Sequence, residues 1–126
     1  MKRTLPLLIG LMLAIGPMNA AFADGSGTFS GASNHVTKGS VSVTKNADGS
    51  AIVTFSSDFF FDGAPDPQVG FGKNGKFIAA SNVGKLKSNT GSQSYKVPAS
   101  INVDDFNEVY IWCRKFSVPL GVASLK

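Results

Sequence analysis

Glu108-Val109-Tyr110-Ile111-Trp112-Cys113-Arg114-Lys115-Phe116-Ser117-Val118-Pro119-Leu120-Gly121 is the stretch on which the fold reading turns, and it holds the only cysteine and the only tryptophan of the chain. Strand side chains repeat every two residues, so alternation places Val109, Ile111 and Cys113 on one face and Tyr110, Trp112 and Arg114 on the other. The pattern predicts a buried strand, a two-residue break, and a second strand running on to about Leu125. Cys113 falls on the apolar face, and its chemistry is unlike that of its neighbours. On these residues alone, whether Cys113 packs or reacts stays open.

Upstream of this pair the same short period recurs. Ser40-Val41-Ser42-Val43-Thr44 alternates and runs into Asn46-Ala47-Asp48-Gly49, where Asp-Gly takes positive φ cheaply; Ala51-Ile52-Val53-Thr54-Phe55 returns as its partner. Thr28-Phe29-Ser30 reads as a short first strand. Phe59-Phe60-Phe61 is a brief apolar run ended by Asp62-Gly63, and Ala64-Pro65-Asp66-Pro67 reads as a rigid, acidic loop, because each proline removes a backbone donor. Residues 68–71 and 76–80 flank Asn74-Gly75, the strongest short hairpin signal present. The polar stretch 84–93 reads as a strand end and loop. Ser94-Tyr95-Lys96-Val97 is a strand closed by Pro98, and Asn102 to Asn107 reads as a turn capped by Asn102 or Asp104. No segment keeps a helical period over three turns. The expectation is an all-β domain, a sandwich or flattened barrel of about eight or nine short antiparallel strands.

The first 23 residues read as a leader. Lys2 and Arg3 give a positive start, Leu5 to Ile15 an apolar run too short for a comfortable membrane span, and Ala21-Phe22-Ala23 a small-x-small cleavage site before Asp24. The mature protein is therefore expected to be periplasmic or secreted, one domain over residues 24–126, with no membrane span after cleavage. Taking 23 residues from 126 leaves 103, enough for one core without disulfide staples, and losing Lys2 and Arg3 takes the formal charge from +4 to +2. The remaining lysines are scattered along the chain instead of clustered on one face, so no nucleic-acid partner is expected. In an oxidising compartment a lone cysteine is shielded, bonded to something else, or functional, since an exposed free thiol there would oxidise or dimerise.

Four constellations bear on chemistry. Gly70-Phe71-Gly72-Lys73-Asn74-Gly75 matches a dinucleotide-binding glycine pattern by letter, but a hairpin turn follows where a helix is required, and Tyr95 stands where an acid is required. Its glycines read instead as bulge and turn positions. His35 is the only histidine, which leaves no multi-histidine metal site and no obvious base–nucleophile pair for an acid–base triad. Its plain reading is a loop residue bonded to a neighbouring turn; with Cys113 it would make a two-ligand haem site, since both residue types serve as axial ligands. Asp58, Asp62 and Asp66 recur every four residues and would offer oxygen ligands to calcium, though the spacing fits no calcium loop and no metal is expected there. Trp112 and Arg114 share a face, which allows a cation–π contact, and Tyr110 extends it into an aromatic platform.

Arg114 and Lys115 would favour a reactive thiolate at Cys113, yet Arg114 points to the opposite face, and a cysteine in line with Val109 and Ile111 also reads as a small buried hydrophobe. Here the chain resembles a known family. Ile111-Trp112-Cys113-Arg114-Lys115-Phe116-Ser117-Val118 with Gly121 is similar to the V-W-C-x-x-F-x-V-x-F-G ending of the DM-thirteen domain, found beside DOMON domains in Skeletor-like proteins and alone in bacteria. Gly27-Thr28-Phe29 with His35 and Gly39 resembles that family's opening, and Phe59 to Gly63 followed by Pro65-Asp66 resembles its F-x-x-D-G-x-x-P-D centre. Pro98 resembles the proline before its last strands. The resemblance covers nearly all of residues 27 to 125; Leu120 stands where the family has an aromatic.

The resemblance implies an extracytoplasmic β-domain for electron transfer in which Cys113 is the redox centre, as a bare thiol or through a prosthetic group such as haem. His35 is the weaker cofactor-binding candidate, and the protein is expected to purify without haem. The partner is expected to be another exported redox or surface protein. The alternative is a non-catalytic binding or surface module whose cysteine is structural; a stand-alone enzyme is not expected, because one histidine and turn aspartates assemble no catalytic triad.

Overall fold

The computed structural model describes residues 21–126, so residues 1–20 of the expected leader lie outside the described residues. In chain order the strands are β1 (Ala21–Gly31), β2 (Thr37–Lys38), β3 (Ser40–Asn46), β4 (Ala51–Phe55), β5 (Phe60–Phe61), β6 (Pro67–Lys73), β7 (Lys76–Ile78), β8 (Gly84–Lys85), β9 (Gln93–Val97), β10 (Glu108–Cys113) and β11 (Val118–Ser124). Two single-turn 3₁₀ segments, Ala79–Ser81 and Val103–Asp105, interrupt them, and the second is capped by Asn102, whose side chain accepts from the Asp104 N–H. Among the described residues there is no α-helix, and so none long and apolar enough to cross a membrane.

All strand pairs are antiparallel, and nine strands form one sheet in the order β7-β6-β10-β11-β1-β3-β4-β9, with β8 also on β6 and a separate β2–β5 ribbon. The sheet curls into a half-barrel instead of two separate layers, so the all-β expectation holds in its flattened-barrel form. The curl is made by β1. Its first part, through Thr28, pairs with β3, and its last residues, Phe29 to Gly31, pair with β11. One strand thus belongs to both arms. The register against β3 shifts between Ala23 and Gly25, at the expected cleavage point, and the ladder from Gly25↔Val43 onward does not use the residues before it.

The arms enclose a core of alternating inward residues: Val41, Val43, Val53 and Phe55 from one, Val69, Phe71, Val109, Ile111 and Cys113 from the other. Phe55 is the hub of an aromatic cluster, with ring centroids 5.2 Å from Phe29, 4.6 Å from Phe59 and 5.3 Å from Tyr95. Such edge and tilted contacts add to the burial of the rings' large apolar area. Phe71 stacks on Phe106 at 5.4 Å toward the end of the core nearer the second 3₁₀ turn.

The turns follow their sequence chemistry. Asn74 and Gly75 sit at φ 53° and 87°, the two positive values of a tight hairpin turn, and Gly49 at φ 91° completes the β3–β4 turn. The break after β10 differs from expectation. It spans four residues, Arg114 to Ser117, with Ser117 at φ 54°, because β11 begins only at Val118.

Candidate functional site

Cys113 is the last residue of β10, held opposite Pro67 of β6 and Val118 of β11. Alternation turns its side chain inward with Val109 and Ile111, and it is 1% exposed. The thiol is not without polar company: Sγ donates to the Pro65 carbonyl oxygen at 3.3 Å. Pro65 lies in the segment Asp62 to Asp66, which joins β5 to β6 and passes the end of β10 as a strap.

Both ends of that strap are fastened by charged groups. At the far end Asp62 accepts from the Val36 N–H at 2.9 Å, and its other oxygen lies 2.8 Å from His35 Nδ1. His35 is presented by the β1–β2 turn, where Ser33 and Asn34 both take positive φ, and its ring lies 5.7 Å from that of Phe61. At the near end Arg114 embraces Asp66 through Nε at 2.9 Å and Nη2 at 3.2 Å, while Gln68 donates to the same carboxylate at 2.8 Å. The Arg114 N–H also donates to the Asp66 carbonyl. The cation–π contact expected between Arg114 and Trp112 is thus replaced by a bidentate ion pair with Asp66, a group 48 residues away that alternation along one strand does not reveal.

The family model described as "Electron transfer DM13" matches residues 28–125, a span that holds the strap, His35 and Cys113. The chain belongs to the DM13 family. Comparison with curated proteins and with solved structures found no match. The match carries the electron-transfer description to this DM13 domain as a class; the roles of its individual residues rest on the geometry.

His35 and Cys113 attach to the same five-residue strap, one holding Asp62 and the other Pro65. They do not fit a shared haem iron. The thiol points into the core at a carbonyl, and no cavity for a macrocycle opens among the described residues; the carboxylate on His35 Nδ1 occupies only one of the two ring nitrogens and does not bear on the fit. Asp58, Asp62 and Asp66 are likewise turned to separate partners: Asp58 accepts from the Ser40 N–H and hydroxyl, Asp62 from Val36 and His35, Asp66 from Arg114 and Gln68. Among the described residues no three acidic, histidine or cysteine side chains converge on a point.

The aromatic platform exists but is differently built. On the outer face Phe77 of β7 leans across Gly70 and stacks on Trp112 at 4.4 Å with 10° between the planes, and Tyr110 meets Phe77 edge-on at 5.6 Å. A Cβ at Gly70 would stand 2.8 Å from the Phe77 ring, and one at Gly72 would overlap Tyr110 Cε1 and stand 2.5 Å from the Lys76 carbonyl oxygen. These glycines are therefore floors for aromatic rings within a regular strand, which corrects the expectation that they mark a bulge. Phe77 went unread because its partnership depends on the β6–β7–β10 register; the usable signal was Gly-x-Gly on one strand beside aromatic-x-aromatic on the next.

The carboxylates of the strap are acidified. The Val36 N–H, and after it His35, hold Asp62 below the ordinary carboxylate value of 3.8; the Arg114 guanidinium hydrogen bond does the same for Asp66. A folded-state value below the unfolded one stabilises above the unfolded pKa, and that contribution disappears as pH falls through the folded value. Melting temperature is accordingly expected to be insensitive to these groups above about pH 5 and to drop below pH 3.8, with a shallower drop in Asp66→Asn. A melt recorded across that range checks it; equal acid sensitivity in the two proteins would remove the assignment.

Proposed function

We propose that this DM13 domain is an exported electron-transfer module whose redox-active group is Cys113, working as a bare thiol with a partner protein. The observation that carries the reading is the electron-transfer family match across residues 28–125, within which Cys113 is the only thiol. Export is supported by Lys2-Arg3, the apolar run Leu5 to Ile15 and Ala21-Phe22-Ala23. A chain starting at Asp24 keeps every β1 pair from Gly25 on, so cleavage there leaves the seam between the arms intact.

The chemistry available to one thiol is limited. Cys113 can attack a disulfide of an exported partner: a bond forms from Sγ to one partner sulfur, the partner's S–S bond breaks, and the second sulfur leaves as thiolate. The described domain holds no second cysteine, so net transfer needs a dithiol donor of another exported protein to attack the mixed disulfide: Cys113 returns to the thiol, the first partner keeps both its sulfurs reduced, and the donor closes its own disulfide. The partner is thus a disulfide-bearing exported protein. A second reading, a non-catalytic binding or surface module with a structural cysteine, is favoured by the thiol's 1% exposure and its bond to Pro65.

The deciding experiment equilibrates folded, exported protein with a thiol–disulfide buffer over a range of poise and reads intact mass. One adduct per folded chain, absent from Cys113→Ala, is expected, on a species beginning at Asp24. A folded chain that stays unmodified at every poise leaves only the structural reading, and a species retaining Met1 to Ala23 overturns the export.

A further inference from the structure

The strap over Cys113 is built to open without the core. Between its fastened ends, Gly63, Ala64 and Pro65 belong to no strand, and among the described residues the thiol's donation to Pro65 is the one hydrogen bond made to their backbone. A thiol is a weak donor, so the middle of the strap is held chiefly by Ala64 against the core and by whatever fixes its two ends. The ends are fixed by the Asp62 N–H to the Val36 carbonyl, the Val36 N–H to the Asp62 carboxylate, the Arg114 N–H to the Asp66 carbonyl and Gln68 on Asp66, and by two exposed side-chain pairs, His35–Asp62 with side chains 27% and 32% accessible and Arg114–Asp66 with 65% and 29%. Segments with few buried contacts and solvent-exposed fastenings open at far lower free energy than core strands. Cys113, by contrast, is rooted in β10, a central strand paired on both sides.

We propose that the Asp62–Asp66 strap is a gate over Cys113, latched by Arg114 on Asp66 and hinged at the His35–Asp62 end, and that the strength of the latch sets how often the thiol can be reached. The gate rests on the redox reading of Cys113 for its use, since only a reacting thiol gains from being uncovered; its physical operation does not depend on that reading. Closed, the strap shields the thiol from adventitious oxidation in an oxidising compartment. A partner that engages the Arg114 guanidinium with its own carboxylate would release Asp66 and uncover Sγ in the same step, which ties exposure of the thiol to the presence of its partner.

The test is the rate at which Cys113 of the folded chain reacts with a small neutral disulfide, 4,4′-dithiodipyridine, at one pH and in urea well below the unfolding range. Proteins compared are the wild type, Arg114→Gln, His35→Ala, both together, and Lys45→Gln, which alters an exposed ion pair outside the strap. Losing either the Arg114 latch or the His35 bond at the hinge end is expected to speed labelling about two- to fivefold, and losing both about tenfold, while Lys45→Gln leaves the rate unchanged. The rate should be nearly independent of low urea, because a local opening exposes little surface, and wild-type labelling should quicken with added salt as the pairs are screened. Identical rates in wild type and Arg114→Gln would overturn the gate. So would wild-type labelling that follows global unfolding from the first addition of urea, and that dependence also exposes any variant that labels faster only because the whole fold is weaker. The two proposals fail separately. A gate that opens onto a thiol unmodified at every redox poise removes the redox reading alone, and a redox-active thiol indifferent to Arg114 removes the gate alone.

Discussion

Gly27→Ala is expected to remove more than about 4 kcal/mol of stability, in the exceptional range for one substitution and a large part of what a domain of this size has. Gly27 does not take positive φ, so the requirement is steric and not conformational. A Cβ there would overlap the Ser124 carbonyl oxygen of β11 and stand 3.0 Å from its carbon, both backbone atoms that no rotamer change can move aside. The contact sits at the seam of the half-barrel. On one side of it Ser26 and Lys126 exchange backbone hydrogen bonds at 3.2 and 3.0 Å, and on the other Phe29 pairs with Ala123. Admitting a methyl group requires β1 and β11 to part between two bonded pairs, and the sheet passes from one arm to the other only through β1. Urea titration of Gly27→Ala beside Ser26→Ala, a truncation at an exposed neighbour, reads the effect. A midpoint close to wild type would mean that the strands stand farther apart at the seam than described.

That seam is also where sequence reading fell short, and the reason is physical. Alternation found β3, β4, β9 and β10 because their inward positions are Val, Phe, Tyr, Ile and Cys, residues that suit a half-buried pleated surface. It reduced β1 to Thr28-Phe29-Ser30 because Gly25, Gly27 and Gly31 are poor strand formers, although close approach to the β11 backbone at Gly27 and to the His35 carbonyl at Gly31 is what requires glycine at those two positions. Propensity and tertiary packing disagree along β1, and packing wins. The Asn74-Gly75 and Asp48-Gly49 turns were legible because their positive φ values are written in the residue types.

The site was legible one residue at a time and not as an arrangement. Cys113 was placed on the inner face from period two alone, and burial bears that out. Its connection to His35 was not readable, because it runs through a strap whose fastenings join residues 27 and 48 positions apart. The acidic loop and the basic residue after the cysteine were each noticed in the sequence, one as a rigid loop and the other as a neighbour of Trp112. Only the antiparallel register Cys113↔Pro67 brings Arg114 beside Asp66.

Cys113→Ser is expected to cost about 1–3 kcal/mol, the usual penalty for placing a hydroxyl in a buried apolar site without a fully satisfactory partner. The site is not wholly unfavourable to a hydroxyl, since the Pro65 carbonyl already accepts from Sγ at 3.3 Å. A C–O bond is shorter than a C–S bond, however, so Oγ would stand farther from a strap held at both ends and would bond it poorly. The lost sulfur contacts with the core add to the penalty, because a buried cysteine packs as a small polarizable hydrophobe. In a domain of about a hundred residues each kcal/mol shifts the melting temperature by roughly 4–8 °C, so the change is easily measured. Cys113→Ala separates the contributions: it leaves a small void but no polar atom, and if desolvation of the hydroxyl dominates, it should melt above Cys113→Ser. A serine variant that melts with the wild type would mean that water already reaches the side chain through an open strap, which the 1% exposure of Cys113 denies. The redox reading adds one requirement to this ordering. The folded wild type should take one adduct from a disulfide buffer that neither variant takes, whereas a structural cysteine leaves all three unmodified and predicts only the change in melt.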